Sequence, residues 1–117
     1  MRDVLTSLKA VSEQIRVRIV LLLMNQDACV CELMAVFEMA QSKLSHHLIA
    51  LREAGLLHSE KRGKWNYYRV DANSLNPMNR ELLRSLSRWT LDERIGEKDK
   101  ATLERVKERM QICCERD

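Results

Sequence analysis

The run Gln41-Ser42-Lys43-Leu44-Ser45-His46-His47-Leu48-Ile49-Ala50-Leu51-Arg52-Glu53-Ala54-Gly55 carries two faces at helical spacing. Leu44, Leu48 and Leu51 mark one apolar side. At about 100° per residue, Ser42, Ser45, His46 and Ile49 project roughly opposite. Gly55 stands at the C′ position, where a helix ends. Upstream, Leu33, Val36 and Phe37 place a short helix over about 31–37. Two short helices joined by a tight turn, the second polar on its outer face, make a helix-turn-helix over about 31–54.

Downstream, residues 56–61 and 64–70 read as strands, the second rich in Trp65, Tyr67, Tyr68 and Val70. Arg62-Gly63 is the expected two-residue turn, with Gly supplying a positive φ. This hairpin, about 56–70, is a wing whose tip Lys61-Arg62-Gly63-Lys64 suits phosphate. Leu75, Met78, Leu82, Leu86 and Trp89 give a stripe for a helix at about 76–92, with Asn76-Pro77 as its start. Leu103, Val106, Met110 and Cys113 continue into a last helix at about 97–113. On the N-terminal side, Val4, Leu5, Leu8, Val11, Ile15, Ile19 and Leu22 recur at helical period. Ser12 is the expected N-cap dividing a first helix from a second at about 12–25, and Asn25-Gln26-Asp27 signals a turn. The expected fold is mainly α with a β-hairpin wing, a winged helix-turn-helix in one domain of residues 1–117.

Composition agrees. An apolar fraction of 45% and a charged fraction of 32% fit an ordinary globular chain. One Pro and three Gly are too few for the many turns of an all-β fold. The longest apolar run, 19–24, is too short to span a bilayer, and the N-terminus lacks a signal-peptide pattern. A cytoplasmic location with no membrane partner is therefore expected. In that reducing setting the four cysteines read as free, metal-binding or redox-active thiols rather than bridges. Net charge is only +3, but it is unevenly spread. From Gln41 to Val70, Lys43, Arg52, Lys61, Arg62, Lys64 and Arg69 face only Glu53 and Glu60. A basic middle is the footprint of a nucleic-acid surface, or else a solvated charged face.

Cys29-Val30-Cys31-Glu32-Leu33 puts two thiols at the threshold of the helix-turn-helix. They read either as small buried hydrophobes or as ligands for a soft ion. In a regular helix, positions i and i+2 point about 200° apart. Both thiols reach one ion only if the helix starts after Cys29 or unwinds there. The helix N-terminus is expected to lower their pKa. Cys113-Cys114 forms a second pair, and Cys113 also completes an apolar stripe.

The segments Val30-Cys31-Glu32-Leu33, Gln41-Ser42-Lys43-Leu44-Ser45-His46-His47-Leu48, Leu51-Arg52-Glu53-Ala54-Gly55-Leu56-Leu57 and Arg62-Gly63-Lys64-Trp65-Asn66-Tyr67-Tyr68-Arg69 together resemble the ArsR/SmtB family of metal-responsive repressors. The resemblance covers roughly residues 11–70. It implies a homodimer built by the first and long fifth helices, here 1–10 and about 76–113. It implies an imperfect palindromic operator in double-stranded DNA, repression of a resistance operon, and release of DNA on inducer binding. The Cys-Val-Cys position is similar to that of the branch responding to arsenite, antimonite, cadmium and lead. The arsenite branch often has a third Cys three residues after the second, where this chain has Met34. The family's zinc site on the fifth helix uses Asp and His, and this chain has no His after residue 70.

The expected metal ligands are Cys29, Cys31, Cys113 and Cys114, with As(III) or Sb(III) as inducer. The expected DNA contacts are Gln41, Ser42, Lys43, Ser45 and His46 on the recognition helix, and Lys61, Arg62 and Lys64 on the wing. His47 reads as structural, and His58 as an ordinary strand residue. Two alternatives keep the fold: a four-thiolate site for Cd, Pb or Zn, and a thiol-redox or sulfur sensor. An enzyme is disfavoured, because the chain has no Cys-x-x-Cys, no Gly-rich phosphate loop and no acid/base set. A winged helix used only for protein contacts is disfavoured by the basic wing tip.

Overall fold

The computed structural model describes residues 1–115, with side chains to residue 109. Its elements are α1 (Arg2–Ala10), α2 (Gln14–Leu23), β1 (Ala28–Cys29), α3 (Val30–Phe37), α4 (Gln41–Glu53), β2 (His58–Arg62), β3 (Trp65–Arg69), α5 (Pro77–Trp89), a 3-10 turn (Leu91–Glu93) and α6 (Ile95–Glu115). This is the expected winged helix-turn-helix, with one strand more than expected.

The core gathers Ile19, Val20 and Leu23 of α2, Leu33 of α3, Leu44, Leu48 and Leu51 of α4, Leu83 of α5 and Leu103 of α6. The leucine face of α4 is fully buried. Its end is fixed by a Schellman arrangement. Gly55 takes φ +80, its N–H donates to the Arg52 carbonyl at 2.9 Å, and Leu56 N–H reaches Leu51 at 3.0 Å. The tight turn after α3 has no glycine. Glu38 itself adopts φ 50, and Met39 N–H closes back on the Met34 carbonyl at 3.1 Å.

The sheet runs β1-β3-β2, all antiparallel, with Ala28 opposite Tyr68 and Cys29 opposite Tyr67. The wing turn is displaced by one residue from the expected Arg62-Gly63. Arg62 pairs with Trp65, so the loop is Gly63-Lys64, with Gly63 at φ +61. Gly at the first loop position, with positive φ confined to it, is the pattern of a type II′ turn.

Three further expectations are corrected. Ser12 does not cap α2, whose N-cap is Glu13; its hydroxyl donates instead to the Lys9 carbonyl at 2.7 Å, closing α1. The α5 stripe is rotated. Leu83 and Asn79 are buried and Leu82 only partly so, while Trp89 is 66% exposed. The rotation follows from Asn79, whose side chain bonds Ser7 at 2.6 Å and the Ala54 carbonyl at 2.9 Å. Asn76 and Pro77 do start α5 as expected, the Asn76 side chain accepting from Asn79 N–H at 2.7 Å. The last helix starts earlier than 97, because Arg94 at φ 54 breaks the chain and α6 begins at Ile95. No described helix is long and apolar enough to cross a membrane.

Candidate metal centre and DNA-facing surface

Cys29 ends β1 and is the N-cap of α3, with extended φ −85 and ψ 165. The helix therefore starts after the first thiol, which is the condition for both to face one ion. A capping box fixes this corner: the Glu32 N–H bonds the Cys29 side chain, and Glu32 Oε1 accepts from Cys29 N–H at 2.9 Å. Cys29 is fully buried and Cys31 half-buried, and their thiols are hydrogen-bonded to each other.

The expected lowering of thiol pKa is not found. Cys31 is pushed up to about 11, first by burial, then by Cys29 as a neighbouring charge and hydrogen-bond partner. The Glu32 carboxylate adds to the rise. Desolvation beside a second thiol outweighs the helix dipole here. Cys31 therefore rests as a neutral thiol, and a thiol that takes a metal ion gives up its proton.

Among the described residues, no three His, Cys, Asp or Glu side chains converge to hold an ion. Cys113 and Cys114 lie outside the residues with described side chains. Lys107 Nζ donates to the Asp27 carbonyl at 2.8 Å and lies 3.9 Å from Glu32 Oε1, at the start of α3. At 1.5 Å per residue, α6 reaches positions 113 and 114 about 9–11 Å further along its axis. Arg18 of α2 anchors the same helix, gripping Asp99 through two bonds of 3.0 and 2.8 Å. Met34 is partly buried and packs on the core.

The surface opposite the core presents Gln41, Ser42, Lys43 and His46, all exposed, with Ser45 partly so. Lys61, Arg62 and Lys64 are exposed on the wing. Arg62 is already engaged, its guanidinium 2.6 Å from Asp27 and 3.1 Å from Glu60 and stacked 4.3 Å over the Tyr67 ring. Residue reading missed Asp27, because a lone acid in a turn carries no signal until the hairpin folds beside it.

His47 is buried, as expected of a structural residue. Arg16 Nε donates to its Nδ1 at 3.0 Å, and Arg16 pairs with Glu13 at 2.8 Å. Nδ1 is thus the acceptor, so the neutral ring carries its proton on Nε2. Burial, then the Arg16 charge, holds His47 below its usual 6.5. The folded state binds this proton less readily than the unfolded state. The stability this site contributes is full above about pH 6.5 and is lost as pH falls toward the lower folded value. Urea midpoints measured across that range should fall with acid, and His47→Asn, which keeps an acceptor without a titrating ring, should flatten the fall.

The family model described as "Bacterial regulatory protein, arsR family" matches residues 13–59. The arsenic resistance transcriptional regulator ArsR2 of Pseudomonas putida KT2440 is 32% identical over 110 residues, 91% of this chain and 93% of that protein. ArsR1 of the same strain is 42% identical over 74 residues, 60% of this chain and 58% of that protein. The chain spans similarly limited shares, 66% and 54%, of the arsenical resistance operon repressors of Bacillus subtilis and Escherichia coli. Among solved structures, HlyU from Vibrio cholerae N16961 superposes with a TM-score of 0.66 at 27% identity, over 77% of this chain and 94% of that one. The Pseudomonas, Bacillus and Escherichia relatives are named as transcriptional regulators or operon repressors, not enzymes.

Proposed function

This chain belongs to the arsR family of bacterial regulatory proteins, and on that footing we propose that it is a metal(loid)-responsive transcriptional repressor. As a homodimer it binds an operator palindrome, and it releases that DNA when As(III) or Sb(III) is captured by Cys29, Cys31 and a sulfur of Cys113 or Cys114. One observation carries the reading: two thiols in mutual contact at the first turn of the helix-turn-helix, split across the start of α3. Soft thiolates suit soft, thiophilic ions. Lys107 of α6 reaches the loop before β1 and lies near Glu32 of α3, which favours the last helix as the source of the third sulfur, from the same or the partner subunit.

The experiment is an operator-release titration with arsenite, cadmium, lead, zinc and polysulfide, run across pH. Arsenous acid exchanges each hydroxyl for a thiol and releases water, so As(OH)3 plus three thiols gives the trithiolate and three waters with no net proton. With Cys31 resting protonated, its exchange with arsenite releases no net proton, and the arsenite response should vary little between about pH 6 and 8. A divalent cation releases one proton per thiol, so its apparent affinity should rise about tenfold per pH unit per proton displaced. Release by arsenite alone at low concentration supports the proposal. Release only by cadmium, lead or zinc, or only by polysulfide, replaces it with the four-thiolate or the redox reading.

The DNA-facing residues divide by role. Gln41, Ser42, Lys43, Ser45 and His46 are offered to base edges and adjacent phosphates, and Lys61 and Lys64 to phosphates alone. Lys61→Ala should lower the salt slope of operator binding by about one unit. Arg62→Ala should lower it less, because Asp27 and Glu60 already neutralise that guanidinium. Equal drops in slope for both variants would contradict this division.

A further inference from the structure

Between the thiol pair and the wing stands a polar network that the repressor reading alone does not use. Asp27 immediately precedes β1, two residues before Cys29. Its Oδ2 accepts from Arg62 Nη2 at 2.6 Å, and its backbone carbonyl accepts from Lys107 at 2.8 Å. Lys107 lies 3.8 Å from Asp27 Oδ1 and 3.9 Å from Glu32 Oε1, and Glu32 in turn holds the Cys29 N–H. Arg62 stacks on Tyr67, whose backbone pairs with Cys29 across the sheet. One carboxylate thus joins the wing strand β2, the loop that leads into the thiols, and α6.

We propose that Asp27 is the positioning residue that couples the thiol pair to the wing, acting as a latch on Arg62. The inference rests on the repressor reading. Capture of one ion by Cys29 and Cys31 acts on the β1–α3 corner, where the two thiols already meet. That corner is hydrogen-bonded to β3 through Cys29 and Tyr67, and Asp27 ties its leading edge to Arg62. A shift there changes the set of the hairpin as a unit. Without the carboxylate, the two-residue β1–β3 ladder alone links the corner to the wing, and the wing follows it only weakly. The metal is still bound, but the DNA no longer feels it.

The test uses full-length protein and a duplex operator obtained by in vitro selection against the wild type. Operator affinity is measured with and without saturating arsenite, and arsenite binding is measured separately by the arsenic–sulfur absorption band. Circular dichroism confirms the fold of each variant. Asp27→Asn should keep arsenite binding and operator binding within about threefold of wild type. Its ratio of operator affinities without and with arsenite should fall at least about fivefold, the lower range of coupling between linked sites. Asp27→Glu should recover most of the ratio, because charge rather than shape is needed. Arg62→Gln, an exposed change that spares the fold, should lose the ratio to a similar extent. The double variant Asp27→Asn/Arg62→Gln should lose no more than either single one, as expected of two groups acting through one contact. A wild-type ratio in Asp27→Asn, or losses that multiply in the double variant, overturns the latch while leaving the repressor reading intact. A wild-type protein that keeps its operator in saturating arsenite overturns that reading, and the latch with it.

Discussion

Cys31→Ser should bind operator as tightly as the wild type and fail to let go of it in arsenite. The thiol is half-buried at the first turn of α3, away from the exposed face of α4. A hydroxyl of similar shape there disturbs neither the leucine face nor the wing. It removes one of two adjacent sulfurs, and a hydroxyl is a weak ligand for a soft ion. Cys29→Ser should behave alike, with less risk to the fold than full burial suggests. Cys29 is an N-cap inside a capping box, and Ser is a preferred residue at that position. The expected loss is the whole response, a factor of about 5 to 150 if the coupling is of ordinary size. Operator binding followed by anisotropy, with and without arsenite, checks it. Full release in either variant would place the ion elsewhere.

The second large effect belongs to the far end of the chain. As(III) takes three sulfur donors, and the residue at the position of the family's third thiol is Met34, a thioether packed on the core. The described residues supply two thiols at the site, Cys29 and Cys31. The remaining candidates are Cys113 and Cys114, on a helix whose Lys107 already touches the loop before Cys29. Because the two are adjacent, either replaces the other, and single serine variants should be mild. Cys113→Ser/Cys114→Ser should bind operator normally and release it weakly or not at all. A full arsenite response in this double variant would remove α6 from the sensor.

Much of this architecture was legible because it depends on short-range pattern. Leu44, Leu48, Leu51 and Gly55 announce a buried face and its stop, and the structure buries those leucines and puts Gly55 in the left-handed region. Features that depend on distant partners were not legible. β1 is two residues long, too short to show alternation, and exists because β3 offers it a ladder. Asn79 reads as a polar residue on a helix surface, and it is buried because Ser7 and Ala54 arrive from remote segments. Taking Leu82 rather than Leu83 as the inner face is an error of one residue, which on a helix is a rotation of about 100°. The thiol pair is legible from composition and position, but the raised pKa of Cys31 is not. The dipole of α3 is visible in sequence, whereas burial and a second thiol in contact are properties of the folded corner. Arg62 was read as a phosphate contact from the wing motif alone, since nothing in the sequence sets Asp27 beside it.

The most direct test of the central claim is arsenic absorption spectroscopy on the full-length protein loaded with one equivalent of arsenite. Three sulfur neighbours in the wild type, falling to two sulfurs and one oxygen in Cys113→Ser/Cys114→Ser, is the result expected of a site closed by the last helix. Two sulfurs and an oxygen in the wild type, or three sulfurs surviving in the double variant, would contradict it.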